Sequence, residues 1–385
     1  MKNEELIERL LDSGLDFAIY RFPGESQPHL VLQREGHAAS ITPYSSLSDL
    51  NSTLKPDGFS GFIFAPFAET RETPTLLIRP DVAVRGWELI DIETDNLPHH
   101  RSVLSLVALR RQRGDVRESS EYKKAFSTFK YQLDRENYQK LVLSHSQLEQ
   151  WSGAEDLAAT FLKALDMFPH QMVYLVNTRQ GGRWFGCTPE LLLEGFDRKW
   201  HTMSLAGTME APLSASYGEK PREADVEKIW NQKNLHEQAL VTDYIEGQLQ
   251  GLGARIMREG PYTVRAGRLL HLRTDFTFHL QKVVPAYTLA RLLHPTPAVC
   301  GLPKDEAWRF IRLHEHNHRM YYSGFLGPIN LRTETNLYVN IRCANIRPHG
   351  KALFFAGGGL TRDSRYEDEC DEVRHKLQTL KSINS

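Results

Sequence analysis

Hydrophobic positions in this chain occur mostly as short runs of β-branched and aromatic residues, most of them bounded by Gly, Pro, Asn or Asp. Such runs predict strands at DFAIYRF, HLVLQ, GFIFAPF, TLLIRP, QMVYLVNT, RWFGC, RLLHLRTDFTFHL, NLYVNIRCANI and ALFFAGG. Apolar residues at helical spacing predict helices at 3–12, 120–137, 155–167, 223–250, 304–314 and 366–382. Because the strands follow one another in pairs and the helices are inserted irregularly, the pattern favours an α+β fold with antiparallel sheets.

A polar, arginine-rich stretch interrupts this pattern between Glu93 and Ser119. It contains RRQRGDVRESS, and we expect it to be a surface connection. The predicted division is therefore an N-terminal part at 1–115, poor in motifs, and a motif-rich catalytic region at 116–385. No repeat of solenoid or propeller length is present.

Composition narrows the class of protein. The 385 residues are 41% hydrophobic, 10% aromatic and 25% charged, as in ordinary soluble globular proteins. Lys plus Arg total 47 against 48 for Asp plus Glu, so no net field draws the chain to nucleic acid or to anionic lipid. No apolar run approaches the roughly 18 residues that suggest a membrane span. We therefore expect a small-molecule partner, with no nucleic acid and no membrane.

The cysteines and the N-terminal segment predict a cytoplasmic setting. Four cysteines lie far apart and form no CxxC pair, so neither a zinc cage nor a disulfide framework is indicated. They are Cys187, Cys300, Cys343 and Cys370. The first residues, MKNEELIERLLDS, have neither the basic nor the apolar region of a secretory signal.

Two predicted helices carry carboxylates beside their apolar stripes. Glu237 lies three or four residues before the stripe formed by Leu240, Val241, Tyr244 and Ile245, so its side chain is aimed inward. On the C-terminal helix, Glu369, Glu372 and Lys376 lie beside the stripe of Val373, Leu377 and Leu380. Converging carboxylates supply the hard oxygen ligands that Mg²⁺ prefers. The alternative is an exposed helix edge with a solvated pair between Glu372 and Lys376.

Three further features suggest an anion site. Gly357, Gly358 and Gly359 directly follow a predicted strand, where backbone amides can approach an anion; the alternative is a tight turn. Arg342 lies inside the apolar run NLYVNIRCANI and needs either an anionic ligand or an internal Glu partner. Lys140 begins an apolar strand, where burial beside other cations would lower its pKa toward that of a general base, unless it is an ordinary surface lysine.

The run HEHNH, His314 to His318, invites a metal-site interpretation. Three alternate histidines share a face on a strand and could bind zinc. The run continues the helical pattern of DEAWRFIRL, however, and alternate residues on a helix diverge by about 200°. A metallohydrolase built on these histidines is therefore disfavoured.

Taken together, these motifs resemble the chorismate-utilising enzymes, which include isochorismate, salicylate, anthranilate and aminodeoxychorismate synthases. The resemblance runs from Lys140 to Lys376. Its pieces, in family order, are KLVLSHS, CTPELLL, SLAGTM, KNLHEQALV, LLHPTPAVCGLP, Glu315 to Arg319 with YYSGFLG, VNIRCA, and AGGGL with EDECDEVRHK. The resemblance implies a large fold of two antiparallel sheets flanked by helices, which residues 1–115 complete.

The resemblance also implies roles for individual residues. Glu237 and Glu372 would ligate Mg²⁺, with Glu369 assisting through water, and the metal would hold the ring carboxylate of chorismate. Substrate contacts are implied for Ala206, Gly207, Thr208, His294, Tyr322, Arg342, Gly357, Gly358, Gly359 and Lys376.

Within the family, three residues favour the isochorismate synthase branch. Lys140 resembles the lysine of branches that add water, and Ala206 replaces the nucleophilic lysine of aminodeoxychorismate synthases. Lys140 would take a proton from water attacking C2, and Glu190 would protonate the leaving C4 hydroxyl. No glutamine amidotransferase subunit is expected. The alternatives are a salicylate synthase, which Ala298 disfavours, and a catalytically silent chorismate-binding protein, which the intact catalytic residues disfavour.

Overall fold

A computed structural model describes residues 2–41, 59–98, 114–210, 226–266 and 269–384. The strands are β1 (Asp16–Arg21), β2 (His29–Gln33), β3 (Ala39–Ile41), β4 (Gly61–Ala65), β5 (Thr75–Ile78), β6 (Val82–Arg85), β7 (Lys140–Gln150), β8 (Met172–Thr178), β9 (Gly182–Thr188), β10 (Leu191–Phe196), β11 (Lys199–Glu210), β12 (Arg255–Ala266), β13 (Leu269–His279), β14 (Gly301–Leu302), β15 (Phe325–Ile329), β16 (Thr335–Val339), β17 (Cys343–Arg347) and β18 (Lys351–Leu360).

The helices are α1 (Lys2–Asp12), α2 (Trp87–Thr94), α3 (Ser120–Asp134), α4 (Ser152–Glu155), α5 (Leu157–Met167), α6 (Val226–Ile229), α7 (Gln232–Gly251), α8 (Ala286–Leu293), α9 (Lys304–His314) and α10 (Tyr366–Lys381). Short 3-10 helices occur at Val116–Glu118 and Ser382–Asn384. Three of these helices were not predicted: the four-residue α4, and α2 and α8. The last two have eight residues each, too few for apolar periodicity to stand out. No helix in the described ranges is both long and apolar enough to cross a bilayer.

The strands form two nine-stranded sheets in which all neighbours run antiparallel. Sheet 1 has the order β14-β7-β18-β17-β9-β8-β1-β2-β6, and sheet 2 has the order β12-β13-β11-β10-β16-β15-β4-β5-β3. This confirms the predicted α+β fold with large antiparallel sheets. Strands β1 to β6, all from residues before 115, are distributed over both sheets. The predicted surface connection falls largely on residues 99–113, outside the described residues.

Side-chain alternation along the strands produces four layers. In β1, Phe17 and Ile19 pack into a cluster with the helices that cover sheet 1, whereas Ala18 and Tyr20 point into a core shared with sheet 2. On β4, Phe64 enters that shared core, and its neighbours on the strand pack toward α7 and α8. The two sheets therefore stack face to face, with a helical layer outside each.

A buried ion pair joins the segments that border the cavity described below. Arg319 donates to both carboxylate oxygens of Glu315 at 2.7 Å, and its guanidinium also donates to the carbonyl oxygens of Val299 at 2.7 Å and Val142 at 2.9 Å. Glu315 accepts from the backbone N–H of Ser144 at 2.7 Å. Both charged side chains are almost completely buried. The pair thus fastens β7 to the chain at 299 and to residues 315–319.

We predict that Arg319→Met lowers the free energy of unfolding by about 3–5 kcal/mol, because it leaves the Glu315 carboxylate buried without its cation. Chemical denaturation of the two proteins measures the difference. Arg362→Met is the control, since its pair with Glu136 is exposed and such pairs contribute about 0–1 kcal/mol. Equal losses in both variants would contradict the assigned role of Arg319.

Candidate active site

A cavity of about 620 Å³, open space at its mouth included, lies between the two sheets beneath α7 and α10. Most of the predicted site residues line it. They are Glu190, Ala206, Gly207, Thr208, Glu237, Tyr322, Arg342, Gly357, Gly359 and Lys376. The structure therefore brings together residues that are far apart along the chain.

Lys140 forms a buried pair with Glu237, which lines this cavity. Lys140 is the first residue of β7, its side chain is 0% exposed, and its Nζ lies 2.8 Å from Glu237 Oε1. Lys140 is therefore not a surface lysine. Glu237 projects from α7 on the same face as Val241 and Ile245, which are fully buried. The predicted inward direction of Glu237 is thereby confirmed.

The carboxylates of α10 are held by lysines. Lys376 Nζ donates to Glu372 Oε1 at 2.6 Å and to the carbonyl oxygen of Gly357 at 2.9 Å. Lys233 of α7 lies 2.5 Å from Glu369 Oε1, and Glu369 is 0% exposed. The pair between Glu372 and Lys376 that the alternative expected does form, but its side chains are only 22% and 16% exposed, so it is half-buried rather than a fully solvated edge.

Burial and the mutual repulsion of the two α10 carboxylates pull their pKa values apart. Burial and the nearby Glu372 carboxylate raise the pKa of Glu369. Burial acts in the same direction on Glu372, but the Lys376 ammonium outweighs it and lowers the pKa of Glu372. The described residues contain no preformed cluster of three His, Cys, Asp or Glu side chains at metal-binding spacing.

The three glycines do not form a turn after a strand, because they continue β18. Gly357, Gly358 and Gly359 pair with Ser144, Leu143 and Val142 of β7. A Cβ atom on Gly358 would lie 2.8 Å from Glu369 Oε2, and one on Gly359 would lie 2.7 Å from Lys140 Cε. Glycine is required here because charged side chains pack directly on the strand backbone. Gly358 itself faces the α10 carboxylates rather than the cavity.

Arg342 does not lie inside one continuous strand, as the apolar run suggested. The run splits into β16 of sheet 2 and β17 of sheet 1, and Arg342 occupies the crossover with φ of 50°. Its guanidinium donates to Thr379 Oγ1 at 3.1 Å and to His271 Nε2 at 3.2 Å. Burial lowers the pKa of Arg342 to about 10. Both partners are neutral, so the charge of Arg342 is directed into the cavity without a described carboxylate partner.

His271 is a cavity residue that was not predicted. Its Nδ1 donates to the carbonyl oxygen of Gly207 at 2.9 Å, which leaves the Nε2 lone pair to accept from Arg342. Burial and the Arg342 charge lower the pKa of His271 to about 3, so the ring is neutral. Side-chain alternation gave a usable signal, because His271 lies between Leu270 and Leu272, which point to the other face of β13.

Glu190 is a buried carboxyl, 3% exposed, directly before β10. Burial raises its pKa to about 7, although the charge of Lys140 and a hydrogen bond from Thr296 act in the opposite direction. Thr296 Oγ1 donates to Glu190 Oε1 at 3.5 Å. Thr296 was not predicted either, because a threonine in the proline-rich run HPTP resembles an ordinary loop residue.

The remaining predicted residues fall into two groups. Ala206, Gly207 and Thr208 line the cavity at a bulge in β11, and Tyr322 lines it while stacking on Phe355 with ring centroids 5.5 Å apart. His294 does not line the cavity.

His294 Nε2 donates instead to the carbonyl oxygen of Ser323 at 3.0 Å behind the cavity wall. In the run HEHNH, α9 ends at His314 and His316 has φ of 59°, so the run is not a continued helix. Glu315 serves the structural pair with Arg319.

Comparison with known proteins identifies the family. The model of the chorismate binding enzyme family matches residues 87–383. The chain belongs to this family. The vibriobactin-specific isochorismate synthase of Vibrio cholerae is 28% identical over 383 residues, covering 97% of this chain and 93% of that protein.

Two solved structures share the fold. The menaquinone-specific isochorismate synthase of Escherichia coli has a TM-score of 0.70 at 20% identity and covers 98% of this chain and 91% of its own. Anthranilate synthase component I of Streptococcus pneumoniae has a TM-score of 0.62 at 16% identity, with coverages of 95% and 90%. The resemblance inferred from the sequence motifs is therefore confirmed at the level of family and fold.

The burial of Glu190 predicts a pH-dependent stability. Its carboxyl ionises near its ordinary pKa of 4.5 in the unfolded chain but near 7 in the folded one. Between these values the folded state keeps a proton that the unfolded state has lost, so stability falls as pH rises. Glu190→Gln cannot ionise, so its free energy of unfolding does not fall in this way. Between pH 4 and pH 8 its stability relative to the parent should rise by on the order of 3 kcal/mol.

Denaturant titrations of parent and variant at pH 5 and pH 8 measure this gain. Glu136→Gln, which changes an exposed carboxylate, is the control and should differ from the parent by a nearly constant amount. A Glu190→Gln difference that does not grow with pH would show that Glu190 is not held protonated by burial.

Proposed function

We propose that this protein is an isochorismate synthase, which converts chorismate to isochorismate by adding water at C2 and expelling the C4 hydroxyl. The observation that carries the proposal is a cavity lined by the buried carboxyl of Glu190 together with Arg342 and Lys376, with the buried amine of Lys140 paired to Glu237, another residue of its lining. The relationship to the vibriobactin-specific isochorismate synthase supports it. The product would feed menaquinone or siderophore synthesis.

Glu190 acts as the general acid. A carboxyl with a pKa of about 7 keeps a substantial protonated fraction at neutral pH, and that form gives its proton to the C4 hydroxyl as the C4–O bond breaks. Lys140 acts as the general base in its free-amine form, after its proton has been lost, and takes a proton from the water whose oxygen bonds to C2. The ring double bonds shift between these carbons, and the water lost balances the water added, so the reaction is an isomerisation.

Cationic groups around the cavity position the dianionic substrate. Arg342 and Lys376 line the cavity and can each meet a carboxylate. His271 holds Arg342 by accepting from its guanidinium, and stays neutral because of its burial and the Arg342 charge. Gly357 and Gly359 line the cavity without side chains, which lets the substrate approach the β18 backbone closely.

The carboxylate set fits Mg²⁺. Glu237, Glu369 and Glu372 supply hard oxygen donors, and Glu369 Oε2 is buried without a hydrogen-bond partner among the described residues. Glu237 and Glu372 would ligate the ion directly and Glu369 through water. When bound, Mg²⁺ supplies positive charge that holds the ring carboxylate of chorismate. The lysines now paired with these carboxylates then become available to the substrate.

The deciding experiment incubates the purified protein with chorismate and Mg²⁺ and identifies the products after separation. We expect isochorismate without pyruvate release, and no turnover in excess chelator. Stoichiometric pyruvate with salicylate would replace the proposal by the salicylate synthase alternative. Ala298, which lines the cavity, favours the first outcome, because the lyase branches resemble a threonine-bearing version at that position. Absence of any product would favour a silent chorismate-binding protein.

We predict that Lys140→Gln lowers the rate of isochorismate formation by at least ~10²-fold, because attacking water then lacks its base. The rate is measured at saturating chorismate and Mg²⁺. Chorismate binding should change little, since Arg342 and Lys376 hold the carboxylates.

Lys351→Gln is the matched control, because Lys351 also begins a strand but is exposed. A Lys140→Gln rate within about threefold of the parent would show that Lys140 is not the base.

A further inference from the structure

Lys233 lies in the first turn of α7, in a cleft that adjoins the cavity. Its side chain is 25% exposed and borders an outer cleft that shares Thr208 with the cavity. The same cleft is bordered by Glu372. Lys233 precedes Glu237 by one helical turn, so both side chains project from the same face of α7. One helix thus contributes a cation and a carboxylate to the same group of charges. We call this group the charged cluster; it consists of Lys140, Lys233, Lys376, Glu237, Glu369 and Glu372.

Lys233 makes a short contact with only one of the two carboxylate oxygens of Glu369. Its Nζ lies 2.5 Å from Glu369 Oε1. The other oxygen, Oε2, is buried, and the described part of the chain gives it no hydrogen-bond partner. A Cβ atom on Gly358 would lie 2.8 Å from this oxygen and 3.8 Å from Glu372 Oε1. The unpaired oxygen of Glu369 therefore lies near the Glu372 carboxylate, where a cation would bind.

Lys233 differs from the other two lysines of the cluster in the carboxylate that it holds. Lys140 pairs with Glu237 and Lys376 pairs with Glu372, the two carboxylates proposed to ligate the metal directly. Lys233 pairs with Glu369, which is proposed to reach the metal only through water. Cation affinity at carboxylate sites rises with the number of charged ligands, so a third direct carboxylate would tighten the site.

We propose that Lys233 competes with the divalent cation for Glu369 and thereby keeps metal affinity low, leaving a coordination position for the substrate carboxylate. This rests on the proposed Mg²⁺ site. Lys233 is a positioning residue, because it acts through Glu369 and does not touch the reacting atoms. Its neutral replacement should tighten metal binding, whereas loss of an ordinary structural ion pair would weaken binding or leave it unchanged.

Isothermal titration of metal-free protein with MgCl₂, without substrate, tests the proposal. Lys233→Gln should lower the Kd for Mg²⁺ at least tenfold, and Lys233→Arg, which keeps the charge, should stay within about threefold of the parent. Lys351→Gln controls for the loss of a remote positive charge. Lys233→Met is a second neutral variant, and the circular dichroism of each protein verifies folding.

A double-mutant cycle with Glu369→Gln separates competition for Glu369 from general repulsion. In the Glu369→Gln background, adding Lys233→Gln should change the Kd by less than about threefold. An unchanged or higher Kd in both neutral variants would overturn the proposal, and so would an equal tightening with and without Glu369. A parent protein that binds no Mg²⁺ even when chorismate is present would instead refute the metal site on which the proposal rests.

Discussion

Every buried charge in this fold needs a partner, and the paired charges lie around the cavity. Two stacked sheets leave an apolar interior in which a lone guanidinium or carboxylate is unstable. Arg319 meets this need with Glu315 and two backbone carbonyls, and in doing so it fastens β7 to the segment that carries Thr296 and Ala298. The lysines of the charged cluster are matched by carboxylates on α7 and α10. The helices are thus held over the sheets by charge as well as by apolar packing.

Charge balance connects this arrangement to the proposed chemistry. Three lysines match three glutamates, and Arg342 adds one positive charge while Glu190 stays protonated. A divalent cation together with a dianionic substrate adds no net charge to that sum. The cation alone would raise that sum from one to three positive charges, which a low-dielectric interior disfavours, and the dianion alone would turn it to one negative charge. Under the proposed function, metal and substrate therefore favour each other's binding.

Most of the fold and the carboxylate helices followed from periodicity in the sequence. Short β-branched and aromatic runs predicted many of the strands but missed others, among them β10, β11 and β12, and the apolar stripe of α7 predicted that Glu237 points inward. The break at Arg342 could not be predicted, because the apolar run continues across it while the backbone turns from one sheet to the other. The position of the glycines within β18 was also missed, since only the packed carboxylates of α10 explain glycine inside a strand. Pairings such as Lys233 with Glu369 join distant segments, and local patterns carry no information about them.

The backbone wall formed by Gly357, Gly358 and Gly359 also restricts how this site can diverge. A side chain at Gly357 would meet Tyr322 Oη at 2.9 Å, and side chains at the other two would meet the charged cluster. This wall therefore offers no position at which mutation can add a new contact to a substrate. New contacts to a substrate are more accessible at residues such as Ala206 and Ala298, which already present side chains to the cavity. Geometry therefore restricts substitution at the glycine positions and leaves room for it at these alanines.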